Sequence, residues 1–119
     1  MGIPAKQNNE LNGFFNQRQF VESTVAQINK DLLGLSYADF VLHENNEFTI
    51  LENLIRNLQP ILLELSKRQP EQLSQFIYRV DLPEKKFHSA LAENQSYEKL
   101  AYLIIEREAQ KVFLRQKFS

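Results

Sequence analysis

A chain of 119 residues that is 43% hydrophobic and 24% charged, with a formal net charge of −1, is sized for one globular core. It is neither a disordered polyelectrolyte nor globally attractive to nucleic acid. With no cysteine there is no disulfide framework, thiol nucleophile or thiolate metal site, and 3 glycines and 4 prolines leave little turn material for a β-sandwich. The expected fold is all-α, a single-domain bundle of four to five helices with a proline-bent central helix.

Residues 1–13 are polar, carry Pro4 and Gly13, and read as a disordered N-terminal arm, leaving 14–119 as the helical domain. The arm lacks the basic segment and apolar run of a secretory signal. The longest uninterrupted apolar run, Leu100 to Ile105, is far below the roughly 20 residues of a membrane span. The expected location is the cytoplasm.

A first helix is predicted from Asn16 to Leu33, with the stripe Val21, Val25, Ile28, Leu32 and with Gly34 as its stop. Arg18, Glu22 and Asn29 border that stripe, so it reads as the narrow face of a peripheral helix. Phe20 lies off it and is a candidate partner contact. Ser36 and Asp39 resemble a capping box for a short helix whose face is Tyr37, Phe40 and Val41, broken by Asn45-Asn46.

The strongest periodicity follows. Leu51, Leu54, Ile55, Leu58, Ile61, Leu62 and Leu65 fall within roughly 60° of Leu58 at about 100° per residue. Pro60 interrupts this run without shifting its phase and falls on the far side, beside Arg56 and Lys67. A proline inside a helix costs about 3 kcal/mol or more, which favours two broken helices. The unbroken phase favours one helix from Glu47 to Lys67, because an independent second helix has no reason to keep register.

Pro70 suits the first position of a third helix with the face Leu73, Phe76, Ile77, Val80. Asp81-Leu82-Pro83 ends it and starts a fourth, with the face Phe87, Ala90, Leu91. Ser96 suits the N-cap of a last helix running from Tyr97 to Gln116. That helix has a main stripe of Ala101, Ile105, Ala109 and Val112, while Leu103 and Leu114 point to its opposite side. Glu108 is expected at the wet edge of the main stripe; its alternative is burial against Arg79 or Arg56.

No catalytic, metal or nucleotide signature accompanies these helices, and no enzyme activity or cofactor is expected. His43-Glu44-Asn45-Asn46-Glu47 resembles the zinc-protease pattern H-E-x-x-H but has Glu at the second His, and two asparagines break the helix it needs. Glu84 and His88 read as a surface i, i+4 pair. Charge is uneven: six acids face one base between Asp31 and Glu64, and four bases face one acid from Arg107 onward. Solvated faces are the simplest reading of both poles.

The expected function is that of a non-catalytic interaction or scaffold protein, self-associating or binding a protein partner. Its candidate contact residues are Phe20, Leu103, Leu114 and Phe118. Leu103 is expected to be covered by neighbours within the monomer, and Leu114 to be exposed among Arg107, Gln110, Lys111 and Lys117. One alternative is a DNA-binding regulator using the hairpin 70–92, with Lys85, Lys86 and His88 opening a recognition helix. Another is a carrier of an apolar ligand between the helices.

Overall fold

The computed structural model describes residues 17–33, 35, 39–93 and 97–118. The expected arm, Phe14, Gly34, the proposed cap at Ser36 and the proposed cap at Ser96 lie outside the described residues. Five helices follow one another, α1 (Arg18–Leu32), α2 (Ile50–Arg68), α3 (Pro70–Val80), α4 (Glu84–Glu93) and α5 (Glu98–Phe118), and no strand occurs among the described residues. The fold is the all-α bundle that composition and periodicity anticipate.

One helix crosses Pro60. Leu51, Leu54, Leu58 and Leu62 are fully buried, whereas Pro60 and Arg56 are exposed. The carbonyl that proline deprives of a donor, four residues back on Arg56, therefore lies on the solvent side, where water replaces the lost bond. The start of α2 is set by Thr49, whose Oγ1 accepts the Glu52 amide N–H at 3.1 Å. The helix thus begins later than Glu47.

The turn between α3 and α4 is made without glycine. Asp81 adopts φ 69° and ψ 42°, its N–H donates to the Tyr78 carbonyl, and the Leu82 N–H donates to the Ile77 carbonyl. These are the two bonds of a Schellman motif, with aspartate in the left-handed position usually taken by glycine. Leu82 is buried with Ile77, the apolar contact that accompanies this cap. Arg107 of α5 holds the Asp81 carboxylate at 2.8 Å and donates to its carbonyl.

The segment expected to form a short helix does not do so where it is described. Residues 39–45 form neither helix nor strand, and Phe40 is 1% exposed while Val41 is 51% exposed. Local helix propensity yields to one tertiary anchor. Asn29 on α1 donates to the Phe40 carbonyl at 2.8 Å and accepts the Phe40 N–H at 2.7 Å, pairing with this backbone as a neighbouring strand would. Asn29→Ala is expected to cost about 1–3 kcal/mol, because it strands two backbone groups beside a buried ring. A midpoint shift in urea at unchanged slope measures this, and an unshifted midpoint would show that water replaces Asn29 freely.

α1 is not the peripheral helix that a narrow stripe implied. Val21, Ile28 and Leu32 are buried as expected, but so are Phe20, Thr24, Gln27 and Asp31 on an adjoining face. α5 covers that second face, and α1 and α5 share the most extensive helix contact. α5 is itself buried on several sides, at Leu100, Ala101, Tyr102, Ile104, Ile105, Glu108, Ala109 and Val112.

Candidate contact surface

Of the four candidate contact residues, Phe20 is corrected outright. It is 5% exposed and belongs to the core cluster, so it offers nothing to a partner. It lies about 40° or less from Thr24, Gln27 and Asp31 at the helical period, and this face docks on α5. Leu103 is partly buried and packs against the core. Leu114 is 46% exposed and Phe118 is 75% exposed.

Leu114 and Phe118 belong to a distinct stretch of helix. Val112 is fully buried, whereas every residue from Phe113 to Phe118 is exposed. The last six described residues of α5 thus contribute no buried side chain. Phe113 joins the two candidates there at 39% exposure, although the sequence places it beside the buried stripe. Lys117 Nζ lies 5.9 Å from the Phe113 ring and 5.5 Å from the Phe118 ring, so a cation sits between two aromatic faces at the tip.

The basic residues toward this end of α5 do not form the solvated face that the sequence suggests. Lys111 Nζ contacts Asp31 of α1 at 2.7 Å and Glu108 at 2.7 Å, and it donates to the Arg79 carbonyl at 3.1 Å. Arg115 donates to Gln27 Oε1 at 2.8 Å, and Arg107 is engaged by Asp81. The acidic and basic poles thus meet inside the molecule at Asp31 and Lys111. Glu108 is the larger correction: it is 0% exposed, not at a wet edge, and its base is Lys111 and neither Arg79 nor Arg56. Arg56 instead stacks over Phe48, 4.2 Å from the ring centre. A signal for this seam was present in the sequence. Phe20, Thr24, Gln27 and Asp31 repeat at intervals of four, three and four, and Glu108, Lys111 and Arg115 at three and four. Both are helical stripes, but polar ones.

The other chemical candidates lie apart. His43 is exposed on a segment outside any helix, and Glu44 is paired with Arg18, whose hydrogen bond holds the carboxyl below its ordinary value. Among the described residues no three His, Asp or Glu side chains converge on a metal position. Glu84 and His88 meet at 3.4 Å on the open face of α4. Ile77, Leu82 and Phe87 floor a recess of about 330 Å³ between α3 and α4, rimmed by Ser74, Tyr78, Glu84 and His88. Lys85 and Lys86 are exposed on the same helix, with Glu84 beside them. No helix among the described residues is long and apolar enough to cross a membrane. The chain matches no protein-family model, no curated protein and no solved structure.

Proposed function

We propose that this chain is a non-catalytic helical interaction protein of the cytoplasm that self-associates through the tip of α5. The observation that supports this reading is the exposed run beyond Val112, where Phe113, Leu114 and Phe118 are three large apolar side chains on six consecutive exposed residues. A single exposed leucine is ordinary, but several exposed apolar side chains at one helix end favour a cover. A second copy presents the same three apolar side chains, so a two-fold contact at this tip covers both sets at once.

Leu114→Glu is expected to weaken association by about tenfold or more, the loss typical of a central apolar contact. Sedimentation equilibrium over a concentration series measures it, with helical circular dichroism and thermal midpoint unchanged. A wild-type protein that stays monomeric throughout the series would refute self-association. Retention on nucleic acid that falls with salt would favour the hairpin of α3 and α4 instead.

A further inference from the structure

The α1–α5 seam contains two buried acids and one partly buried base. Asp31 is 8% exposed and Glu108 is 0% exposed. Lys111 lies 2.7 Å from a carboxylate oxygen of each. Its contact with Glu108 is an ion-pair approach without hydrogen-bond alignment, and neither Glu108 oxygen has a donor. Lys111 directs its protons to Asp31 and to the carbonyls of Arg79 and Val80. Two carboxylates and one ammonium leave one uncompensated negative charge in this space, a costly arrangement. Two carboxylates also cannot bond to each other, since both only accept.

We propose that Glu108 holds a proton in this seam, and that loss of the proton weakens the hold of α5 on α1. With Glu108 protonated the cluster is neutral. Its O–H donates to Asp31, and the ion pair that remains is Asp31 with Lys111. Burial first, and then the hydrogen bond to Asp31, push the Glu108 carboxyl up to about 9. Burial opposes the Lys111 charge, but the two acids outweigh it and raise its pKa above the ordinary value.

Among the described residues, the other basic side chains of α5 nearest the seam are engaged elsewhere. α1 presents Gln27 and Asp31, and Gln27 Nε2 donates to Asp31 at 3.3 Å. α3 presents the two carbonyls. The buried side chains of α2 are apolar except Asn53, and Phe87 and Ala90 are the buried contribution of α4. On α5, Arg107 is engaged by Asp81 and Arg115 by Gln27. Glu108 and Asp31 are the only buried ionised-type side chains among the described residues.

The linkage has a definite sign. The unfolded carboxyl releases its proton near its ordinary value of 4.5, and the folded one near 9. Between these the native state holds one more proton, so stability falls as pH rises. It is fullest below the lower value and lost through the upper one, and the folding constant declines up to about tenfold per pH unit from this site. The tip of α5 begins one turn beyond this proton.

Glu108→Gln keeps the shape and a donor to Asp31 but cannot ionise. Urea midpoints of both proteins are compared from pH 5 to 9. The variant is expected to match wild type at pH 5 and to become progressively more stable than it toward pH 9. Parallel pH dependences would overturn the proposal. Carbon-13 NMR of the Glu108 carboxyl in the wild-type protein provides a readout that needs no variant. A midpoint near 9 is expected. A midpoint in the ordinary carboxylate range would overturn it even if Glu108→Gln failed to fold.

Discussion

Lys111→Met is expected to destabilise the protein by about 3 kcal/mol, the range reached when one partner of a buried ion pair is removed. Methionine fills the path of the lysine stem, so the loss is that of the charge and its three donors. Asp31 keeps the Gln27 amide but loses its counter-ion, and the carbonyls of Arg79 and Val80 lose their donor. Urea unfolding at pH 7 measures the change, and a loss below about 1 kcal/mol would show that water enters the seam and replaces the ammonium. Adding Asp31→Asn and Glu108→Gln to Lys111→Met removes every charge from the cluster. That triple variant is expected to recover most of the loss, because the penalty arises from a stranded charge and less from a missing attraction.

Leu58→Ala is expected to cost about 2–5 kcal/mol, the range for truncating a closely packed core leucine. Leu58 is 0% exposed and lies two residues before Pro60 on the face that α2 buries. The proline prevents that turn from tightening freely around a void, which places the expected loss in the upper half of the range. Leu63→Ala on the same helix is the matched control: at 39% exposure it is expected to cost less than about 1 kcal/mol. Equal losses at the two positions would mean that helix propensity, and not burial, governs α2.

Much of this molecule is determined by its sequence alone. The phase that runs from Leu51 to Leu65 settled α2, because seven apolar residues at one helical angle have only one way to leave water together. Pro70 marked α3, and the faces of α3 and α4 followed from their periodicity. Even the true start of α2 is legible, since Thr49 and Glu52 stand at capping-box spacing, although the break at Asn45-Asn46 favours a start at Glu47. What only the tertiary structure decided concerns groups whose environment comes from another helix. Phe40 fits a local helix by sequence, but Asn29, eleven residues earlier, satisfies its backbone outside any helix. Phe20 reads as a partner contact because it lies off the stripe Val21, Val25, Ile28, Leu32. It shares its own face with Thr24, Gln27 and Asp31, of which Gln27 and Asp31 are polar but buried against Arg115 and Lys111 from the far end of the chain. Periodicity reports which side chains avoid water. A polar side chain paired across two helices also leaves water, and hydrophobic phase cannot register it until the partner is in place.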